Sequence, residues 1–524
     1  MNNLNTTNPN HYIYETKHLK IAVLGGIRFN NLEALRVTLG IQKLKSEQVL
    51  RQNIDLYNDT SIEKLTRKVA ERLEIGTTIV RRDLDSLTNE LETYRLQEVE
   101  QQGKLYEKQV KVLTEKEIQQ AKSFLSNQNL IENTQELIGK SGVIGEEINR
   151  LLMYLIFTSR KTNNPLHCIS LGSSGAGKTH LQSKVSELIP EEDKIEMTVL
   201  SANAFYYFNR TELQNKLILI EDLDGAESVL YPLRELQSKK RITKTVAHKD
   251  KKGTTKTIHL TVEGPVSVSG CTTQESIYED NSNRSFLLYI DESEIQDEKI
   301  MFFQRQLSAG KINHEEEHQA KDLLQNAQRL LKTITVKNPF AEYLTLPNSV
   351  FKPRRTNAHY LQFIEVITFY KQYQKFHHID QETGEEYIET SIEDIQEANE
   401  LIKEVLLRKS DSLTGACRNH LENIKIYLQL NNQLQFSNSE IRRRFRIKES
   451  TLRNYNSQLL LEGYIKKIQN KKDKSFAFEI TNQTEYQDLE KVINDSLQKC
   501  MEMIALFNEQ AKNLVNKKKQ KIEE

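Results

Sequence analysis

The 524-residue sequence predicts an α/β fold built on a parallel sheet, with a smaller domain before it and helical segments after it. Apolar residues around Ile169 and Leu171 lead into a glycine-rich loop, and a helical pattern follows and ends at Pro190. A continuous apolar run at 217–220 ends in two acids. Further apolar runs at 265–269 and 285–290 have the length of buried strands, so the sequence alternates strands and helices as parallel sheets do.

The loop at 172–179 has the spacing GxxxxGK[ST] between a predicted strand and a predicted helix. In such a loop, glycines such as Gly172, Gly175 and Gly177 let backbone N–H groups wrap phosphates. The amine of Lys178 would reach the β and γ oxygens, and the hydroxyl of Thr179 would hold Mg²⁺. The N-terminus of the following helix adds its dipole. The motif therefore predicts a site for ATP and Mg²⁺.

Two acids, Glu221 and Asp222, follow the apolar run at 217–220. Ligands of open α/β sheets bind beyond the carboxyl ends of the strands, so carboxylates at this position face the nucleotide. One acid can hold the Mg²⁺ shell while the next orients the attacking water. The usual order is Asp then Glu and it is reversed here, so the sequence leaves open which acid does which.

The composition is that of a globular chain, with 28% charged and 37% hydrophobic residues. Because 73 basic and 73 acidic residues balance, any nucleic-acid binding must come from local patches. The four cysteines, Cys168, Cys271, Cys417 and Cys500, form no CxxC pair, which argues against a disulfide framework or a zinc ribbon. With no export signal and no run long enough to span a bilayer, we expect a cytoplasmic protein without membrane contact.

Two β-like runs at 242–248 and 255–262 predict a hairpin whose turn is 249–253. The turn holds Lys249, Lys251 and Lys252, and mobile ammonium groups there could neutralise DNA phosphates without reading bases. The alternative is an ordinary solvated hairpin tip.

Polar residues follow the strand at 265–269, and Thr272 among them could sense the γ-phosphate. Arg284, before the next strand, could reach the nucleotide of a neighbouring subunit as an arginine finger. The alternative for Arg284 is a surface ion pair.

The pattern of the segment 421–480 predicts a helix, a turn, a second helix and a wing. Ser437 and Glu440 would form a capping box, and Gly463 would end the second helix. From 436 to 480 it has eleven basic and five acidic residues. This local excess favours DNA binding over the alternative of protein contacts. The candidate DNA-binding residues of this unit are Arg442, Arg443, Arg453, Asn454, Lys471 and Lys472.

Segments of residues 143–306 resemble the AAA+ module of zinc-finger primase-helicases carried by bacterial mobile elements and, more distantly, minichromosome-maintenance (MCM) helicases. The residues that carry the resemblance include VIGEE, NPLHCISLGSSGAGKT, LILIEDLDGAE, LRELQS, VEGPV, NRSFLLYIDES and QRQ. The resemblance implies a ring of six subunits, with ATP at the interfaces and the hairpin in a central pore. It also implies Thr272 or Thr273 as sensor 1, Arg284 acting in trans, and Arg354 as the sensor-2 arginine of a lid. No zinc-binding primase segment is present, so a primase would be a separate partner.

The expected architecture is an α/β AAA+ P-loop ATPase core with a helical lid, a small N-terminal α/β domain and a C-terminal winged-helix domain. The expected bounds are 1–100 for the N-terminal domain, 101–140 for a helical linker, 141–337 for the core, 338–412 for the lid, 413–482 for the winged helix and 483–524 for a basic helical tail. The expected function is that of an ATP-driven DNA-acting protein, a replicative helicase or initiator of a mobile genetic element. Two alternatives stay open, an ATP-switched helicase loader or transposition regulator that does not unwind DNA, and a winged-helix regulator whose ATPase is only structural.

Overall fold

The computed structural model describes residues 4–28, 34–44, 46–106, 110–198, 203–224, 230–249, 255–274, 283–347, 352–469 and 476–523. The chain divides into two compact units, Met1–Val110 and Lys111–Glu524. Among the described helices, none is both long and apolar enough to cross a membrane.

The first unit is an antiparallel sheet of five strands in sequential order, covered by two helices. The strands are β1 (Leu4–Asn5), β2 (His11–Glu15), β3 (Leu19–Leu24), β4 (Arg36–Lys43) and β5 (Val49–Asp55). Residues alternate between buried and partly buried along β3, so one face of the sheet packs into a core with helices α1 (Asp59–Leu73) and α2 (Thr77–Tyr106). The side chain of Asn58 caps α1 by accepting from the amide of Ser61.

The second unit contains a five-stranded parallel sheet. Its strands are β6 (Cys168–Leu171), β7 (Lys194–Met197), β8 (Lys216–Ile220), β11 (Val266–Thr272) and β12 (Phe286–Tyr289). The two strands that lie between β8 and β11 in sequence form a separate hairpin. The order across the sheet is β12-β6-β11-β8-β7. The strand β11 therefore lies between β6, which leads into the phosphate loop, and β8, which ends at the two acids. The four residues of β6 are all buried because helices or loops cover both faces.

One face of this sheet packs into the largest apolar core. Helices that precede the sheet in sequence and helices that follow it also bury side chains in this core. The first of these helices are α3 (Glu115–Leu125), α4 (Leu130–Lys140), α5 (Glu147–Thr158) and α6 (Lys178–Ser186). The stretch 101–140, expected as a solvated linker, instead contributes buried side chains of α3 and α4, such as Leu125 and Ile138. The apolar residues of these helices are few, but they recur on one face of each helix, and that face is buried.

The opposite face packs into a second core with helix α7 (Leu230–Lys239) and with the base of a hairpin. The hairpin strands, β9 (Arg241–Lys249) and β10 (Thr255–Glu263), pair antiparallel along their length. This confirms the strands expected from the sequence, and their joining turn at 250–254 lies outside the described residues.

The segment after β12 is mainly helical, with α8 (Glu294–Ser308), α9 (His314–Leu330), α10 (Pro353–Tyr370) and α11 (Ile392–Ser410). A small sheet of β13 (Thr335–Lys337), β15 (Glu386–Glu389) and β14 (His378–Ile379) accompanies them. Helices α10 and α11 bury one face each in the largest core. Their arrangement is compatible with the expected lid, which stays a proposal.

The C-terminal elements form a separate small core. In chain order they are α12 (Gly415–Leu430), β16 (Gln435–Phe436), α13 (Asn438–Phe445), α14 (Glu449–Leu461), β17 (Ile465–Gln469) and β18 (Phe476–Ile480). The three strands form an antiparallel sheet in the order β16-β18-β17. The expected capping box of Ser437 and Glu440 is present at the start of α13.

The final helix, α15 (Glu485–Glu523), covers the segment expected as a basic tail. Its side chains of Ile493, Leu497, Cys500 and Ile504 are buried in the largest core. The first half of this helix is therefore part of the folded unit, because these residues recur at helical spacing and cover one face.

Candidate nucleotide-binding site

The loop between β6 and α6 has the backbone geometry that a phosphate cradle requires. Gly175 and Gly177 have φ values of 86° and 94°, in the left-handed region that favours glycine. A Cβ atom added at either glycine would meet nothing within 4 Å. A ligand can therefore approach the backbone of the loop closely at both positions.

The amine of Lys178 lies inside this loop. It donates to the carbonyl oxygens of Gly172 at 3.0 Å and Ser173 at 2.6 Å, and only 8% of the residue is exposed. Both acceptors are neutral, so the ammonium charge has no carboxylate partner among the described contacts. An anionic phosphate would be a stronger acceptor than either carbonyl.

Helix α6 begins at Lys178 and is tied to two strands by one buried side chain, Gln182. Its amide nitrogen donates to the carbonyl of Ile220 at 3.2 Å, at the end of β8. Its amide oxygen accepts from the hydroxyl of Ser269 at 2.9 Å, on β11. Gln182 therefore fixes the phosphate loop relative to the strand that delivers the acids, a role that the sequence reading missed.

The acids Glu221 and Asp222 are both exposed at the carboxyl end of β8. The carboxylate of Asp222 accepts the backbone N–H of Asp224 at 2.9 Å, which orients it. Within the described part of the chain this is the one hydrogen bond to either carboxylate, so most of their acceptor positions stay open there. Such a pair suits Mg²⁺, which prefers oxygen ligands and keeps part of its water shell.

Asp224 joins the acidic strand end to the end of β11. Its two carboxylate oxygens accept from the hydroxyls of Thr272 and Thr273, the latter at 3.0 Å. The hydroxyl of Thr272, expected as a γ-phosphate sensor, is thus bound to Asp224. The sequence reading missed Asp224, although an acid two residues after a strand-end acid was a usable signal.

The pKa of the Cys271 thiol depends on several residues of the candidate site. Burial raises the pKa of this thiol to about 12, while hydrogen bonding to Thr179 and the charge of Lys178 act in the opposite direction. The charge of Asp222 contributes a further upward shift. The lysine, the threonine and the second acid expected at the site therefore all influence the pKa of this one buried thiol.

These residues fit a magnesium nucleotide. The loop offers open backbone and one mobile cation, Thr179 offers an exposed hydroxyl, and the end of β8 offers two carboxylates. In this arrangement Thr179, Glu221 and Asp222 would hold Mg²⁺ and its waters, and the ion would neutralise phosphate charge.

A family model agrees with this geometry. Residues 114–333 match the MTBMA_p00010 P-loop domain. The match begins at α3, so the P-loop domain includes the helices that the sequence reading had assigned to a linker. No curated protein sequence matches the chain.

Three solved structures are similar to parts of the chain at low identity. A full-length MCM homolog from Methanopyrus kandleri is 12% identical, with a TM-score of 0.36, covering 78% of this chain and 75% of that one. Drosophila ORC bound to DNA is 11% identical, with a TM-score of 0.19, covering 74% of this chain and 94% of that one. The C-terminal region of NrS-1 is 14% identical, with a TM-score of 0.21, covering 67% of this chain and 75% of that one.

Arg284 lies at the opposite end of the sheet from the phosphate loop. It precedes Phe286 by two residues, and Phe286 pairs with Cys168, four residues before Gly172. At the rise of a parallel strand, these six positions separate Arg284 from the loop by about 20 Å along the sheet. Its Nε donates to the hydroxyl of Ser238 at 3.0 Å. Arg284 therefore does not serve the nucleotide site of its own chain.

Arg354 is exposed in the first turn of α10. No described hydrogen bond or ion pair joins it to the phosphate loop. A sensor role for Arg354 thus stays an expectation of the resemblance.

The candidate DNA-binding residues divide between described and undescribed parts of the chain. Arg442 and Arg453 both bond the carboxylate of Glu449, at 3.1 Å and 2.5 Å. Arg443 and Asn454 are exposed on α13 and α14. Lys249 ends β9, while the remaining lysines, Lys251, Lys252, Lys471 and Lys472, lie outside the described residues.

A carboxylate that the sequence reading missed contacts the start of the phosphate loop. Glu292 follows β12, and its two oxygens accept from the backbone N–H of Ser173 at 2.6 Å and from its hydroxyl at 2.8 Å. Because β12 neighbours β6 in the sheet, the acid arrives at the same edge as the loop. An acid just after an apolar strand is the sequence feature that predicts such a site residue, for Glu292 as for Glu221.

We expect Glu292→Gln to tighten ATP binding by about fivefold, because it removes one exposed negative charge beside the triphosphate. The glutamine oxygen can still accept from the Ser173 N–H, so the loop keeps its shape. Titration with a fluorescent ATP analogue measures the effect.

The matched control is Glu294→Gln, an exposed acid two residues further on that has no described bond to the loop. It should bind ATP as the wild type does. Weaker binding by Glu292→Gln would mean that the carboxylate organises the loop instead of repelling the nucleotide.

Proposed function

We propose that this chain is an ATP-driven AAA+ protein that acts on DNA, as a replicative helicase or initiator of a mobile genetic element. The P-loop domain would bind and hydrolyse ATP, and hydrolysis would move the β9–β10 hairpin along one DNA strand. The observation that supports this most is the path of β11 from the hairpin to the nucleotide site.

The hairpin ends at Glu263, and β11 begins three residues later at Val266. The other end of β11 is Thr272, whose hydroxyl bonds Asp224 beside the two acids. One strand therefore connects the base of the hairpin to the edge where the γ-phosphate would be cleaved. A shift of β11 on hydrolysis would be transmitted to the hairpin, because a buried strand moves as a rigid element.

The position of Arg284 supports a closed assembly of several copies of the chain. The family resemblance implies that this assembly is a hexamer. An arginine about 20 Å from its own phosphate loop can complete the site of a neighbour. We assign Arg284 to the nucleotide of the adjacent subunit.

The C-terminal elements would form a winged helix that holds duplex DNA. Support comes from the order of helices and strands, from the antiparallel sheet and from exposed Arg443 and Asn454. Glu449 competes for Arg442 and Arg453, so phosphate binding would exchange one anion for another at these arginines.

The test is the variant in which Lys249, Lys251 and Lys252 are all changed to Ala. Loss of about three phosphate contacts on single-stranded DNA should lower the slope of log affinity against log salt by about two units. DNA-stimulated ATPase and strand displacement should be lost, while ATP binding remains.

A matched control changes two exposed lysines of α3, Lys116 and Lys122, which are remote in sequence from the hairpin. The control should keep the wild-type salt slope. A triple variant that unwinds DNA normally would exclude the hairpin as the moving contact and would favour the second candidate function.

That second candidate is an ATP-switched loader or regulator that binds DNA without unwinding it. The supporting observation is a cleft of about 1420 Å³ shared by the phosphate loop and the C-terminal elements. Gly172 and Ser173 line one side, and Arg446, Thr451 and Tyr455 line the other. Nucleotide binding in such a cleft could expose or cover α14, and a strand-displacement assay separates this candidate from a helicase.

A further inference from the structure

Three tyrosines lie on two segments that pack beside the base of the hairpin, and we call Tyr206, Tyr207 and Tyr231 the tyrosine platform. Tyr207 is 72% exposed and Tyr231 is 61% exposed. Burial raises the pKa of Tyr206, with smaller contributions from its electrostatic interaction with Tyr231 and Glu235. Phe205 of the first segment and Leu230 of the second are buried in one core, so the two segments that carry these tyrosines pack side by side.

The platform has a rigid support. Tyr206 and Tyr207 belong to a short 3-10 turn, Ala204–Tyr207, in which Phe205 is fully buried. Phe205 and Phe208 pack with their ring centroids 6.3 Å apart. The same core contains Leu230 and Leu233 of α7 and Ile242 at the base of β9. The exposed rings are therefore held by buried neighbours and lose little further freedom on binding a ligand.

A cation lies over the platform. The amine of Lys244 is 5.5 Å from the centroid of the Tyr206 ring and donates to the side-chain oxygen of Asn203 at 2.8 Å. Since side chains alternate along a strand, Lys244 shares a face with the buried Ile242. This face of the hairpin therefore carries Ile242 in the core and Lys244 beside the ring of Tyr206.

We propose that the tyrosine platform stacks the bases of a single-stranded nucleic acid whose phosphates contact Lys244. This inference rests on the proposed function and identifies the residues that would hold the bases.

The chemistry favours this ligand for two reasons. Every base has a π face, so stacking on tyrosine tolerates any sequence, as a protein moving along DNA requires. A strand passing the hairpin also needs both aromatic and cationic contacts, and the platform supplies them side by side. Tyrosines kept only for packing would have their rings in the core, as Phe205 has.

The test measures binding of the full-length protein, with ATP present, to a labelled single strand and to an abasic strand of the same length. Tyr207→Ala should weaken binding to the normal strand about tenfold, which is about 1.4 kcal/mol. Tyr207→Phe keeps the ring and should bind as the wild type does. On the abasic strand the wild type and Tyr207→Ala should bind equally, because no base is left to stack.

Salt separates the two kinds of contact. Tyr207→Ala should keep the wild-type salt slope, while Lys244→Ala should lower it by about 0.7 on either strand. The control is Phe376→Ala, which removes an aromatic ring that is 77% exposed far along the chain, and it should change neither affinity nor slope.

Equal loss of affinity by Tyr207→Ala on both strands, or no loss at all, would overturn the platform while leaving the proposed DNA function intact. A wild-type protein that binds neither strand would instead overturn the proposed function, and the platform with it.

Discussion

Lys178→Ala should lose ATP hydrolysis by about 10²- to 10³-fold, the scale seen when one preorganised charge-stabilising group is removed from a site. Among the described residues, the amine of Lys178 bonds only the carbonyls of Gly172 and Ser173, so no described ion pair has to break before it moves onto a phosphate. Phosphoryl transfer depends on positioned positive charge at the β and γ oxygens, and the loop supplies no other side-chain cation.

The measurement is steady-state phosphate release together with ATP titration. Lys184→Ala is the matched control, because Lys184 lies on the same helix but pairs with Glu187 at 3.5 Å, away from the loop. The control should keep wild-type hydrolysis. Full activity in Lys178→Ala would exclude the loop as the catalytic phosphate site.

Asp222→Asn should bind ATP and hydrolyse it about 10²-fold more slowly, the lower range for loss of a group that orients or deprotonates the attacking water. Asp222 suits this role because the amide of Asp224 orients its carboxylate at the carboxyl end of β8. Single-turnover assays should show retained nucleotide and slow cleavage.

Glu221→Gln should instead raise the Mg²⁺ concentration needed for half-maximal hydrolysis by about tenfold, as loss of one group around a metal does. Titration of Mg²⁺ at saturating ATP measures this. If Glu221→Gln retains ATP while Asp222→Asn shifts the Mg²⁺ dependence, the two acids have the opposite roles. The reversed order of these acids is the reason that both variants are needed.

The sequence identified features that depend on neighbouring residues. The spacing from Gly172 to Thr179 determines the phosphate loop, because its chemistry lies in the backbone and in two adjacent side chains. The same holds for the capping box at Ser437 and for the hairpin strands β9 and β10. Apolar continuity also predicted β8 and β11, since strands buried on both faces have few polar residues.

Solvent exposure of helices was harder to predict. Residues 101–140 looked like a solvated linker because they are rich in Glu, Gln and Lys, and the basic stretch 512–521 looked like a solvated end. Helices α3, α4 and α15 nevertheless bury one face each, and a narrow apolar stripe supplies that face. Composition averages over all faces of a helix, whereas packing uses only one of them.

By itself the sequence determined the phosphate loop, the two acids after β8 and the local helix and strand signals, because each depends on residues a few positions apart. Only the tertiary structure decided that β11 separates β6 from β8, that Thr272 bonds Asp224, that Glu292 bonds Ser173 and that Lys244 lies over the ring of Tyr206. The three side-chain contacts join residues between 38 and 119 positions apart. Sheet order and packing bring such residues together, and no local spacing encodes them.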